Sequence, residues 1–198
     1  MSQMLIAPEL ELFPNRYRWS VAACYRMMEL GFLEGRFEVI DGEVIPKTGQ
    51  KPPHAQTLTL VLRVLAALFG IDFVCVQSPI TLTAPDNVYT EPEPDLAVTR
   101  EPVTAYSDHH PGPGDLHLVV EVADTTLRAD LKVKALLYAR SHLPEYWVVD
   151  IVNRKLHLHR DPQQGGYASI QVYEETQTFS LPTYPEAVIA VRDLLPPA

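Results

Sequence analysis

A chain of 198 residues, 46% hydrophobic and 21% charged, suits one globular domain that buries a core without disulfide or metal staples. Its net charge of −9 excludes a sequence-blind nucleic-acid coat, because such affinity comes mainly from neutralising phosphates. The two cysteines, Cys24 and Cys75, give neither a metal-ligand spacing nor a disulfide framework.

Residues 1–19 lack periodicity and read as an arm ahead of a single domain at 20–198. Ser20 can cap a short helix through about Leu30, which Gly31 ends. In "RFEVIDGEVIP", Asp41-Gly42 sits between two alternating runs and predicts a tight hairpin with strands at about 36–40 and 43–46. Pro52-Pro53 then break the chain, and apolar residues at 58, 61, 62, 65, 68 and 69 have helical spacing. That run is interrupted by Thr59 and Arg63 and is too short to span a bilayer. No N-terminal stretch joins a basic start to a long apolar core, so a cytoplasmic protein with no membrane contact is expected.

Strands are expected near 71–77, 79–83, 95–99 and 116–123, with a Pro/Gly-rich loop at 100–114. A helix follows at about 126–142, then strands at 145–151, 155–160 and 167–173, and an irregular closing segment with a short helix. The sum is an α+β fold: a curved mixed sheet flanked by helices, with an N-terminal hairpin and a C-terminal β-meander.

Charge is uneven along this framework. Residues 85–124 carry nine Asp or Glu against the single Arg100, whereas residues 126–160 carry seven Lys or Arg against three acids. Within the acidic stretch, "EPEPDLAV" places Asp95 at the start of a short apolar strand. Glu121 interrupts "LVVEVA", whose surroundings read as a strand covered on both faces. A carboxylate is costly to bury without compensation. In the helix after it, Asp130, Lys134 and Tyr138 are spaced four apart and share a face. If the strands at 95 and 121 are neighbours, two repelling acids meet and a divalent cation is their natural partner. Two acids and a Lys around an oxygen-ligated Mg²⁺ can activate water against a phosphodiester.

In order, Pro94-Asp95, Glu121-Val122, Asp130 to Lys134 to Tyr138, and "PEYWVVD" at 144–150 resemble the Uma family of restriction-endonuclease-like proteins. That family lies within the PD-(D/E)XK nuclease superfamily. "FEVIDGEVI" at 37–45, the following His54 and a "FSLP" tail extend the likeness. The resemblance implies a restriction-endonuclease-like fold and Mg²⁺-dependent hydrolysis of DNA, with Mn²⁺ able to substitute. Asp95 and Glu121 would hold the metal, the Val122 carbonyl would add a ligand, and Lys134 would orient or polarise the attacking water. Glu38 would be an additional acid, His54 a phosphate or water contact, and Tyr138 a support for Lys134. One departure stands out: in E-x-K the Lys falls two residues after the Glu, on the same strand face, and here that residue is Ala123. The resemblance implies that the lysine has migrated to Lys134.

Each residue also has a plain structural reading. Glu121 could be an ion-paired strand acid, Asp95 a turn start, and Lys134 an exposed partner of Asp130. Tyr138 and Trp147 could be core, His54 a helix-start residue and Glu38 a solvent-facing hairpin residue. His109-His110 and the pair His157 and His159 read as surface residues. The functional expectation is a DNA endonuclease, with a homodimer as the usual route to cutting both strands. The alternatives are an inactive nucleic-acid- or protein-binding module on the same fold, and a hydrolase of a smaller phosphate ester.

Overall fold

The computed structural model describes residues 17–47 and 49–197, so most of the expected arm lies outside the described residues. Helix α1 spans Val21–Glu29. The Ser20 hydroxyl accepts from the Ala23 N–H at 3.1 Å, which satisfies one of the free donors of its first turn. Strands β1 (Phe37–Ile40) and β2 (Glu43–Pro46) form the hairpin. Asp41 and Gly42 have φ of 51° and 79°, the double positive φ of a type I′ turn. A Cβ on Gly42 would also lie 2.6 Å from Arg18 Cβ. Helix α2, Pro52–Phe69, begins on two prolines whose missing N–H groups cost nothing in a first turn.

Strands β3 (Val74–Val76), β4 (Leu96–Thr99), β5 (Leu116–Ala123), β6 (Glu145–Asp150), β7 (Lys155–Gln163) and β8 (Gly166–Glu174) form a mixed sheet in that order. β5 and β6 are parallel and every other neighbouring pair is antiparallel. A parallel pair needs a crossover, which here is helical: α3 (Leu127–Ala129), a π-turn at Asp130–Lys134, and α4 (Ala135–Arg140). Strands β9 (Thr178–Leu181) and β10 (Tyr184–Ala190) close the chain as a separate hairpin, followed by a 3₁₀ turn at Val191–Leu194.

The sheet is covered on both faces. Val61 and Leu65 of α2, with Phe179 and Ile189 of the last hairpin, pack on Leu96, Val120 and Trp147. Ala135 and Leu137 of α4, with Ile40 and Ile80, pack on Ala97, Val119, Tyr146 and Val148. Each such side chain contributes on the order of 1.5–3 kcal/mol when fully buried. Leu96 and Ala97, like Val119 and Val120, alternate between the two cores, the period-2 signature of a strand buried on both sides. No helix among the described residues is long and apolar enough to cross a membrane.

Four local expectations need correction. Residues 79–83 bury Ile80 and Leu82 but form no ladder: the Ile80 and Thr81 amides donate to the carbonyls of Pro92 and Pro111, and proline has no N–H to give back. The strand expected at 71–77 is a 3₁₀ turn, Ile71–Phe73, followed by β3 alone. The helix expected over 126–142 is interrupted by the π-turn and ends at Arg140. The closing segment is a hairpin, with a register shift between Tyr184 and Val188 that takes in Pro185 and breaks the alternation.

Candidate active site

The β4–β5 register pairs Leu96 with Val120 and Ala97 with Val119. Continued by one residue, it sets Asp95 across from Glu121, so the two carboxylates share the sheet face that α4 covers. Asp95 is buried and richly held. Its Oδ2 accepts from the Val122 N–H at 2.8 Å and lies 3.2 Å from His54 Nε2, while its Oδ1 accepts from Gln77 Nε2 at 3.2 Å. Burial works to raise the Asp95 carboxyl, but His54, the Val122 amide and Gln77 together hold it below the usual carboxylate range.

Glu121 is 3% exposed. Its Oε1 accepts from Lys134 Nζ at 2.8 Å and from the Tyr138 hydroxyl at 3.1 Å. The same ammonium lies 2.9 Å from Glu38 Oε2. That oxygen also accepts from the Glu93 N–H at 3.1 Å and faces Lys47 Nζ at 3.4 Å. Glu38 reaches this position because β1 is bridged to Glu91 through Val39, which docks the hairpin against the approach to β4. It is buried, not solvent-facing.

The π-turn brings the helix side of the site together. Its i+5 bond runs from the Ala135 N–H to the Asp130 carbonyl, which also accepts from the Tyr146 hydroxyl at 3.2 Å. With the turn widened, Asp130, Lys134 and Tyr138 all face inward. Lys134 is thus no exposed partner of Asp130, and Leu127 and Leu131 are only half-buried. Thr126 caps the Asp130 carboxyl at 2.6 Å.

Three buried acids, Glu121, Glu38 and Asp130, therefore act on one buried ammonium, while Asp95 beside them is held by His54, Gln77 and the Val122 amide. Burial favours the neutral amine, but Glu121, Glu38 and Asp130 outweigh it and keep Lys134 firmly charged. Burial would likewise raise Glu38, yet Lys134 and Lys47, with the Glu93 amide, hold it below its ordinary value. Glu121 is the acid left to keep its proton. Burial pushes it up to about 8, against the pull of Lys134 and helped by Asp130, Asp95 and Glu38. Asp130 is also raised, mainly by burial.

Of the residues singled out in sequence, Asp95, Glu121, Lys134, Glu38, His54 and Tyr138 come together, and the Val122 amide is part of the same cluster. Sequence reasoning missed Gln77 and Lys47, which follow strand ends and carry no motif. Other expectations resolve differently. Lys132 is exposed, and Trp147 is fully buried. His159 is buried and packs against the rings of both Tyr146 and Tyr167 rather than lying on a surface strand; desolvation lowers it to about 4. The Asp108–His109 pair is exposed.

Among the described residues no three His, Cys, Asp or Glu side chains converge as a ready cation cage. The donors that fit a cation are fewer and all oxygen: the Asp95 and Glu121 carboxylates, which face each other across β4 and β5. That set suits a hard ion such as Mg²⁺, which uses one or two carboxylates and keeps its other positions for water and phosphate. The neighbouring acids that add to the burial-driven rise of Glu121 fit the same ion.

Residues 25–192 match the model of the Uma2 family, described as "Putative restriction endonuclease". The chain is also similar to a crystal structure from Anabaena variabilis titled as a putative nuclease belonging to DUF820. The TM-score is 0.62 at 15% identity, covering 85% of this chain and 96% of that one. Fold alone is shared at that identity, and it is the α+β nuclease fold. No curated protein matches the chain.

Proposed function

The chain belongs to the Uma2 family, and from that membership we propose that it is a metal-dependent endonuclease that hydrolyses DNA phosphodiester bonds. The observation that carries the reading is the meeting of Asp95, Glu121 and Lys134 from three separate elements in one buried cluster. A purely structural ion pair needs one acid for one base; here three buried acids act on one lysine, with Asp95 next to Glu121. In this reading Asp95 and Glu121 hold Mg²⁺, or Mn²⁺ in its place, and the Val122 carbonyl completes the protein's share. Bound there, the cation supplies Lewis acidity to the attacking water and the scissile phosphate.

The remaining roles belong to the chain's own groups. Lys134 donates to the water that attacks phosphorus, as a charged group already desolvated at that spot. Glu38 is the second anchor of the ammonium, and Tyr138 fixes the Glu121 carboxyl. His54 and the Val122 amide hold Asp95. The attack forms a P–O bond to water and breaks one to the ester oxygen, which leaves with a proton. We take residues 20–198 to act as one domain, and two copies to be needed for cutting both strands.

The test is cleavage of supercoiled plasmid in Mg²⁺ or Mn²⁺ by the wild type, Asp95→Asn and Glu121→Gln. Cleavage by the wild type alone, abolished by EDTA, is expected. Plasmid bound but left intact would favour an inactive binding module. Hydrolysis of bis(p-nitrophenyl) phosphate without any attack on DNA would favour a small phosphate ester as substrate.

A further inference from the structure

Gln77 lies just past the end of β3 and contacts Asp95. Its backbone N–H donates to the Asp95 carbonyl at 3.0 Å, and its side-chain amide donates to Asp95 Oδ1 at 3.2 Å. The orientation of that amide is fixed chemically. Arg36 Nη1 lies 3.3 Å from Gln77 Oε1, and a guanidinium can only donate. The carbonyl end must therefore face Arg36 and the NH₂ end must face Asp95. Arg36 is itself held by an ion pair with Glu93 and reaches the Gln77 carbonyl at 3.4 Å.

The backbone at this position is unfavourable for glutamine. Gln77 has φ of +47°, where Gly or Asn is at home and a longer side chain is strained. Nothing in the local turn calls for Gln, so the side chain is what the position needs.

The lone pairs show what it accomplishes. A carboxylate oxygen has room for about two donors. Asp95 Oδ2 has both the Val122 amide and His54, whereas among the described residues Oδ1 has Gln77 alone. We infer that Gln77 is a positioning residue: it holds Asp95 against rotation so that the remaining lone pair of Oδ1 is presented to the divalent cation. This rests on the proposed role of Asp95 as a metal-holding group.

The experiment is calorimetric titration of Mn²⁺ into the wild type, Asp95→Asn, Gln77→Asn and Gln77→Gly, with thermal melts of each protein in EDTA. Asn and Gly both tolerate positive φ, and neither can reach Asp95 as Gln does. The expected result is a Mn²⁺ Kd raised about tenfold or more in both Gln77 variants, in the range found for outer partners of metal ligands. The metal-free melting temperature should stay within about 2 °C of the wild type, because relief at φ offsets the lost bond. Wild-type Mn²⁺ affinity in both variants would overturn the inference while leaving the site intact. So would a large fall in melting temperature in both with no loss of affinity, which marks a structural role. Failure of the wild type to bind Mn²⁺, or equal binding by Asp95→Asn, would overturn the site reading and this inference with it.

Discussion

Lys134 Nζ lies 2.8 Å from Glu121 Oε1 and 2.9 Å from Glu38 Oε2, so one ammonium from a helical turn is shared by acids of two different strands. This explains how a carboxyl is tolerated inside β5. Glu38, which also has Lys47 and the Glu93 amide, carries the negative charge, and Glu121 keeps its proton.

That division of charge predicts unequal mutants. Gln is a near copy of a protonated Glu, so Glu121→Gln should leave the metal-free protein nearly as stable as the wild type. Glu38→Gln removes the ionised partner of a buried lysine. It should cost about 2 kcal/mol, less than the roughly 3–5 kcal/mol of a wholly uncompensated buried charge, because Glu121 can then ionise. Urea unfolding of both variants in EDTA checks the order, and a larger loss for Glu121→Gln would reverse the assignment.

The same proton sets a pH dependence. Glu121 titrates at 4.5 ordinarily and at about 8 in the fold, so the folded state keeps a proton that the unfolded chain has released. Its stabilising contribution is full below about 4.5 and is lost as pH rises through about 8. Glu38 and Asp95, both lowered, act oppositely: their contribution is present above the ordinary carboxyl range and lost as pH falls through their folded values. Melts in EDTA should show Glu121→Gln flattening the decline between roughly pH 5 and 8 while leaving the acid limb unchanged. Metal must displace that proton, so Mn²⁺ affinity should rise about tenfold per pH unit toward 8 and then level off.

Lys134 and Lys132 make a matched comparison, since the first is buried among acids and the second is exposed. Lys134→Met keeps the aliphatic stem yet leaves Glu38 without its main partner, so it should lose most turnover and some metal-free stability. Lys132→Ala should leave the chemical step unchanged. Single-turnover cleavage rates separate the two, and equal rates for Lys134→Met and the wild type would remove Lys134 from the reaction.

Much of this arrangement is legible in sequence. The Asp-Gly hairpin, the Ser20 cap and the β4 and β5 strands announce themselves through local chemistry, and the spacing of Asp130, Lys134 and Tyr138 places them on one face. What escapes depends on contacts distant in the chain. Glu38 looks solvent-facing until Val39 bridges to Glu91. Gln77 gains meaning only beside Asp95. Residues 79–83 alternate like a strand, but prolines occupy the places where a ladder partner would answer. The π-turn has no sequence signal, although it turns the polar stripe of the helix inward.

DNA affinity should be modest and salt-sensitive, given a net charge of −9. Ca²⁺ should improve it by neutralising the acids without supporting rapid cleavage. Fluorescence anisotropy of a labelled duplex, with Ca²⁺ and with EDTA, measures the difference. Unchanged affinity on removal of the ion would place the phosphate elsewhere on the protein.

The most direct measurement is anomalous diffraction from a crystal soaked in Mn²⁺. The account predicts one peak bonded to carboxylate oxygens of both Asp95 and Glu121, at roughly the 2.1 Å of a small hard cation, with the Lys134 ammonium still close to Glu38. A peak that lacks either carboxylate, or no peak there at saturating Mn²⁺ near pH 8, would contradict it.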